Sequence, residues 1–294
     1  MPIEVKECPL CGAAESQLLD QRVFRGEEIC NRICSGCGLV FQSPRMIAAE
    51  LDQFYAQAYR QVYQGESGPT KKDLFVQGGR ADSLLAFLGK QNVKPSRYLD
   101  IGCSSGILLQ RFQDQFDCEA VGVEPGDAYR TYAREQGLNV HPDLESLQAA
   151  GEDRFDLISM AHVLEHIPDP VGYLADLREH YLTPSGLILL EVPNLYAHDS
   201  FEIAHMTSFS AHTLRQVIQQ AGFGLIALMR HGQPRSEILP LYLTVLARPS
   251  AHPDEQKDVV PERNVALKRR LGMFWRRVIQ RLFPHRAWVP LPKP

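Results

Sequence analysis

Two pairs of cysteines open the chain, Cys8-Pro9-Leu10-Cys11-Gly12 and Cys34-Ser35-Gly36-Cys37-Gly38, with 22 residues between them. Cysteines two residues apart on a tight turn aim both sulfurs at one point, and two such turns complete a tetrahedral set of four. Cys8, Cys11, Cys34 and Cys37 therefore read as ligands of one ion, zinc first and iron as the metal that also accepts four thiolates. With every position filled by protein, the role of such an ion is structural. Cys30, Cys103 and Cys118 read as ordinary small residues.

A second constellation begins at Asp100-Ile101-Gly102-Cys103-Ser104-Ser105-Gly106. It follows a short apolar run, Tyr98 to Gly102, and precedes a helical pattern from Ile107 to Gln115. Strand, small residues and then helix is the place where a nucleotide-type ligand meets a parallel sheet. Gly102 and Gly106 admit backbone conformations closed to other residues, and Asp100 can accept a hydrogen bond from a cationic ligand group. Glu124, closing Ala120 to Glu124, stands where an acid about 20 residues past such a loop bonds ribose hydroxyls; capping a helix at Pro125 is the bland alternative. Two more stretches, Phe155 to Ile167 and Leu182 to Asn194, end apolar runs in polar residues. The first contains His162-Val163-Leu164-Glu165-His166, which fits the His-x-x-Glu-His pattern of some zinc peptidases. Pro168 and Pro170 cut short the helix that pattern needs, so no metal is expected there and His166 is placed on the ligand cleft.

The elements that must position these residues alternate. Short strands over Tyr98 to Gly102, Ala120 to Glu124, Asn139 to His141, Phe155 to Ala161 and Gly186 to Val192 are each followed by a helix-compatible stretch, which implies α/β architecture with a parallel sheet. Two late strands, Leu225 to Met229 and Leu241 to Ala247, follow. The organisation read from this is a cysteine module over 1–45, a helical cover over 46–94 (Ile47, Leu51, Phe54, Tyr55, with Tyr59 and Tyr63 read as half-buried helix residues and, as the alternative, aromatics closing over the ligand), a core over 95–250, and a linker with a basic amphipathic helix over 251–294.

The 294 residues allow one sizeable domain and a small module. No apolar run reaches the roughly 18 residues of a membrane span, and Met1 to Glu15 lacks the pattern of a secretory signal, so a cytoplasmic location is expected. The net charge of −4 hides an asymmetry: residues 263–294 hold nine Lys or Arg and no acid, leaving 22 basic against 35 acidic residues before them. An acidic body argues against a nucleic-acid partner. Leu267, Leu271, Phe274, Val278 and Leu282 recur at helical spacing among Arg269, Arg270, Arg276, Arg277 and Arg281, a pattern suited either to packing on the body or to an anionic membrane face or protein partner.

Taken together, the loop, Glu124 and the two later stretches resemble the successive motifs of class I methyltransferases over about residues 94–248. The resemblance implies a Rossmann-like seven-stranded sheet with helices on both faces and the last strand inserted antiparallel. It also implies S-adenosylmethionine as cofactor. Asp100, Gly102, Cys103, Ser104, Ser105 and Gly106 would hold its methionine part, Glu124 and Pro125 the ribose, Asp143 and Leu144 the adenine, while Met160, Ala161 and His166 line the pocket. Ser104 stands where the family usually has Gly.

The cysteine module, ending in Gly38-Leu39-Val40-Phe41-Gln42-Ser43-Pro44-Arg45, is similar to that of deoxysugar and surface-polysaccharide methyltransferases. This implies methyl transfer to a hydroxyl of a sugar nucleotide or glycan intermediate. Other natural-product or small-molecule O-, N- or C-methylation is the alternative, and a non-catalytic metal-knuckle scaffold is the rival of another class. His205 matches a histidine of those enzymes; Ala204 replaces the glutamate beside it, which argues against carbon methylation. The additional C-terminal domain of those enzymes is not expected here. A hydroxyl must lose a proton, and histidine suits that role near neutral pH. His205 is the first candidate base and His198 the second, with Glu202 orienting whichever acts.

Overall fold

The computed structural model describes residues 2–47, 50, 68–252 and 258–292. Leu51, Phe54, Tyr55, Tyr59 and Tyr63 lie outside the described residues. Between the cysteine turns the chain forms a hairpin that no spacing predicts, β1 (Ser16–Phe24) and β2 (Glu27–Cys34). Its two loop residues, Arg25 and Gly26, both have positive φ, 53° and 93°, which gives the twist a tight hairpin needs. β3 (Val40–Gln42) joins β2 antiparallel.

The cover helix α1 (Lys71–Gly89) starts at a capping box in which Thr70 and Asp73 satisfy each other's backbone amides. The core then alternates: β4 (Arg97–Ile101), α2 (Ile107–Phe116), β5 (Glu119–Val123), α3 (Asp127–Glu135), β6 (Asn139–His141), α4 (Leu144–Ala149), β7 (Phe155–Ala161) and α5 (Pro170–Asp176). β8 (Leu182–Pro193) begins four residues earlier than its apolar run predicts. β9 (Thr207–Ser208), α6 (Ala211–Gln220), β10 (Phe223–His231) and β11 (Tyr242–Pro249) complete the body.

Seven strands form one sheet in the order β10-β11-β8-β7-β4-β5-β6. β8, β7, β4, β5 and β6 are parallel, and β11 runs antiparallel between β8 and β10, as the resemblance implies. Strand alternation divides the core between two faces. Tyr98 and Leu157 meet Leu84, Leu88, Leu109 and Phe112 on one face, while Leu99, Ile158 and Met160 meet Leu174, Leu214 and Val217 on the other. Cys8, Leu10, Cys34, Cys37 and Phe41 join that second cluster, so the cysteine module shares the core. Each of these large side chains contributes about 1.5–3 kcal/mol on leaving water.

The segment expected as a linker is held against the body. Glu262 donates its amide to Cys37 O at 2.9 Å and accepts from the Ser210 hydroxyl. This close pass requires Gly38, where a Cβ would lie 2.3 Å from Glu262 O. α7 (Val265–Leu282) follows, then the short α8 (Pro284–Ala287). α7 attaches by two arginines together with Val265 and Ile279, not by the stripe the spacing marks. Arg269, 7% exposed, donates to Leu195 O and His198 O, pairs with Asp199 and stacks 3.9 Å over Phe201, while Arg276 donates to Ala197 O. Leu267, Leu271, Phe274, Trp275 and Leu282 remain exposed. Among the described residues, no helix is long and apolar enough to cross a membrane.

α7 sits so close that a Cβ at Gly272 would lie 2.0 Å from Tyr196 O. Gly272→Ala is therefore expected to lift the helix without unfolding the sheet. Limited proteolysis should cut within 258–292 faster than in the parent chain while the main unfolding transition keeps its midpoint.

Candidate active site

β4 has β5 on one side and β7 on the other, so the chain reverses its direction of strand addition at β4. Ligands of open α/β sheets bind at such a reversal, beyond the carboxyl ends of the strands. The 100–106 loop lies there. Gly102, Ser104 and Gly106 have positive φ of 73°, 54° and 79°, turning the chain into α2. At Gly102 a Cβ would stand 2.5 Å from Val163 Cγ2, so the loop packs where only glycine fits. Ser104 also adopts left-handed backbone, the conformation glycine takes without strain, which fits the glycine that the resemblance implies there.

Glu124 follows β5, 4% exposed, and its two oxygens accept from Ser104 N at 2.8 Å and Gly126 N at 2.9 Å. This carboxylate thus ties the loops after β4 and β5 together, and Pro125 follows it at the same edge. Asp100 is buried in the sheet, accepting from the Ser159 hydroxyl, which in turn meets Tyr98 OH at 2.6 Å. Burial pushes the Asp100 carboxyl up to about 7 against the hydrogen bonds from Ser159 and Tyr98. Cys103 is buried between the loop and β5, its sulfur beside Gly122. Asp143 caps α4 by accepting from Ser146 N at 2.7 Å, which sets Leu144 in the first turn. Ala161 ends β7 at the cleft edge, whereas the Met160 side chain is fully buried in the core, because alternate strand residues face opposite ways.

Gln77, on α1, donates to Ser104 Oγ at 3.0 Å and accepts from the Ser105 hydroxyl, closing the cover helix over the loop. No spacing in the sequence marks it. A charged cluster beside the loop was equally illegible. Glu191 on β8, 1% exposed, meets Arg80 Nε at 2.7 Å, His162 Nε2 at 3.3 Å, His231 Nε2 at 3.3 Å and the Thr244 hydroxyl at 3.2 Å. Burial alone would raise this carboxyl; hydrogen bonds from His162 and His231 and the Arg80 charge outweigh it and hold Glu191 well below the usual carboxylate range. Tyr242 packs against His162, His198 and His231.

His162 has φ 60° and reaches a second carboxylate, Glu165, at 3.3 Å. Glu165 lies on the single 3-10 turn Leu164–His166, between His162 and the ring pair His166 and His205, whose centroids are 4.8 Å apart. Burial lowers His205, lowers His166 to about 4 and lowers His198 to about 3, so all three are neutral at pH 7. The carboxylate whose charge acts on His205 is Glu165, and the His205 ring is oriented by Ser200 O at 2.6 Å. Glu202, half-buried, accepts through its backbone from His205 N at 3.2 Å.

His205 is also tied to the cysteine module. β9 pairs with β3 through Val40↔Ser208 and Phe41↔Thr207, and Gln42 N donates to Met206 O at 2.9 Å. Behind β3 the four sulfurs converge: Cys8 to Cys37 and Cys11 to Cys34 are each 3.5 Å apart, and all four lie within 4.8 Å of one another. Gly12 and Gly38 have matching φ of 70° and 83° and donate to Cys8 O and Cys34 O, so the two turns are copies. A shallow cavity at the opposite, amino-terminal end of the strands, lined by Lys94, Asp156, Ile226 and Arg248, lies away from all of these groups; Asp156 is occupied there by the amides of Ser96 and Arg97 at 3.1 Å.

A glycine-turned loop at the reversal point, an acid closing the next strand and an antiparallel strand near the sheet edge define a Rossmann-like nucleotide-type fold. The chain belongs to the methyltransferase-domain family, whose model matches residues 74–228, just over half of it. Among curated proteins it is similar to a ubiquinone biosynthesis O-methyltransferase of Cereibacter sphaeroides, 34% identical over 105 residues, 33% of this chain and 41% of that protein. One from Serratia proteamaculans is 32% identical over 102 residues, 33% of this chain and 42% of that protein. The chain thus spans about two fifths of the length of these relatives. Among solved structures, the Burkholderia thailandensis 1,6-didemethyltoxoflavin-N1-methyltransferase, bound to its acceptor and S-adenosylhomocysteine, shares the fold at 19% identity and a TM-score of 0.53, over 81% of this chain and all of that one. A mitomycin 7-O-methyltransferase does so at 17% identity and a TM-score of 0.51, over 68% of this chain and 60% of that one.

Removing the charge at Glu191 would leave Arg80 buried without its partner, a loss of about 3–5 kcal/mol. Because the folded carboxyl is held below its ordinary value of 4.5, that stabilisation is present above pH 4.5 and is lost on acidification. Urea unfolding of Glu191→Gln should show a large deficit at pH 7 that narrows as the pH falls below 4.5.

Proposed function

We propose that this protein transfers a methyl group from S-adenosylmethionine to a hydroxyl oxygen of a small acceptor. The observation that carries this reading is the joined loop and acid: Glu124, buried at the end of β5, gripping the amide of Ser104 in the glycine-turned loop. The donor set suits the cofactor, since a carboxylate matches a ribose diol and left-handed glycines let backbone reach a ligand. S-adenosylmethionine, when bound, supplies a methyl group already activated on a sulfonium. The chain has then to align the acceptor with it and exclude water. Asp100 and the residues Gly102, Cys103, Ser104, Ser105 and Gly106 would face its methionine part, Glu124 and Pro125 the ribose, Asp143 and Leu144 the adenine. Ala161, the Met160 backbone and His166 form the wall toward the acceptor. The hydroxyl proton would pass to the neutral histidines at the carboxyl edge, His198 or His205, with Glu202 beside the latter.

The acceptor has two readings. A sugar-nucleotide or glycan hydroxyl is favoured by the cysteine module, which grips the strand next to His205. Another small-molecule hydroxyl is favoured by the relatives' names, ubiquinone biosynthesis O-methyltransferases. Zinc is proposed for the cysteine site: a zinc–sulfur bond of about 2.3 Å in a tetrahedron sets sulfurs about 3.8 Å apart, near the 3.5 Å of both pairs. Iron is the alternative four thiolates accept.

Calorimetry with S-adenosylmethionine tests the reading. Glu124→Ala should weaken binding at least about tenfold, since a hydrogen bond to a charged group is worth about 1.5–3 kcal/mol. No binding to folded parent protein would overturn methyl transfer in favour of a scaffold. With binding in hand, methylation assays on sugar nucleotides and on other hydroxyl compounds separate the two acceptor readings.

α7 is proposed to rest on an anionic lipid surface. Its exposed stripe of Leu267, Leu271, Phe274, Trp275 and Leu282 is flanked by exposed Arg270, Arg277 and Arg281, the complement of acidic headgroups. Sedimentation with phosphatidylserine-containing vesicles should exceed that with neutral vesicles and fall with salt; Phe274→Glu should abolish it. Equal sedimentation with both vesicle types would assign the stripe to a protein partner.

A further inference from the structure

The His162-to-His166 stretch cannot form a peptidase-type metal site, because it holds only one 3-10 turn, Leu164–His166, with His162 ahead of it in left-handed backbone, and no helix. The fold nevertheless brings a different third ligand to it. Glu165, His166 and His205 each present a ligand atom within 4.8 Å of the others, and all three are buried. We propose that these residues bind one divalent transition ion, separate from the four-cysteine site.

Three observations carry this. Glu165 is 1% exposed, and neither carboxylate oxygen has a hydrogen-bond partner among the described residues; its polar neighbour is His162 Nδ1 at 3.3 Å. His162 offsets part of the cost of burying this carboxylate from one oxygen only, and a cation between it and two imidazoles would remove the rest. Second, both imidazoles are anchored through the same nitrogen. His166 Nδ1 lies 2.9 Å from Ala204 O and His205 Nδ1 lies 2.6 Å from Ser200 O. A backbone carbonyl only accepts, so each Nδ1 carries the proton and each Nε2 carries the lone pair. Metal-binding histidines are oriented in this way by an outer hydrogen bond. Third, the ligands come from two segments the fold holds rigidly. The turn carrying Glu165 and His166 is packed at Val163 against Gly102, and His205 adjoins β9, which pairs with β3.

Two nitrogens and one carboxylate oxygen suit zinc, iron(II) or manganese(II) rather than an all-oxygen calcium or magnesium site. Three protein ligands leave room in the coordination sphere for water or a hydroxyl oxygen, unlike the closed set of four cysteines. The inference rests on the methyl-transfer reading only for what would fill that room. If it holds, His205 is a ligand and His198 remains to take the acceptor's proton.

The test needs neither cofactor nor acceptor, so its failure leaves methyl transfer standing, and failure of cofactor binding leaves the metal site standing. Full-length protein, stripped of metal under reducing conditions, is titrated anaerobically with cobalt(II) and followed by absorption spectroscopy. The expected result is uptake in two steps. One carries the intense sulfur-to-cobalt charge transfer of the thiolates, and the other gives only weak ligand-field bands. Glu165→Gln and His205→Gln should each lose the weak-band step while keeping the thiolate bands, which report a folded module. The parent titration decides alone should either variant misfold: saturation at one equivalent with thiolate bands only overturns the proposal. A second equivalent retained in both variants overturns it as well.

Discussion

Arg80 and Glu191 join the cover helix to the middle of the sheet through an ion pair that water scarcely reaches. Two His residues and Thr244 complete the shell of the carboxylate, so α1, β8, β10, β11 and the end of β7 all report to one group. A buried ion pair adds little net stability over an apolar replacement, but once present it tolerates few arrangements of its neighbours. Here it sets the height of α1 above the 100–106 loop, and with it the reach of Gln77 to Ser104 and Ser105. The strained backbone of His162 sits between this carboxylate and Glu165, which links the core pair to the histidines at the acceptor side.

The cysteine module is continuous with this arrangement. Its sulfurs and Phe41 share the core under the sheet, β3 pairs with β9 beside His205, and Glu262 straps the second cysteine turn to the cap of α6. Folding energy from four metal-thiolate bonds would thereby add to the burial of Leu195, Phe201 and Met206 in holding the loop that carries His205. A site wall built on paired strands is also better positioned than one built on a free loop.

The C-terminal helix shows how composition can mislead about orientation. A basic amphipathic pattern suggests apolar residues inward and arginines outward. In the fold, Arg269 and Arg276 face inward because the carbonyls of Leu195, Ala197 and His198 and the carboxylate of Asp199 are left open where the chain leaves β8. A guanidinium with five donors satisfies several acceptors at once, and its flat face covers Phe201. Leu267, Leu271, Phe274, Trp275 and Leu282 are consequently displayed.

Much of the sheet could be read from the sequence, because its strands are short apolar runs separated by helix-compatible stretches, which implies a parallel sheet; the seven-stranded arrangement with an antiparallel strand came only from the family resemblance. The loop at 100–106, Glu124 and the four cysteines could be read too, since each depends on residues close in the chain whose spacing sets their geometry. The hairpin Ser16 to Cys34 could not be read from the sequence because its strands are mostly half-buried and lack clean alternation. Gln77, Arg80 and His231 escaped because nothing local marks a residue whose partner lies tens or more than a hundred positions away. The sequence by itself determined the class of ligand loop, the sulfur cluster and the alternation of elements, all matters of short-range backbone and ligand geometry. Only the tertiary structure decided that Glu165, His166 and His205 meet, that Glu191 is buried against Arg80 and two histidines, and that α7 turns Arg269 and Arg276 inward, because each depends on which buried charges and carbonyls are left to satisfy once the chain has packed.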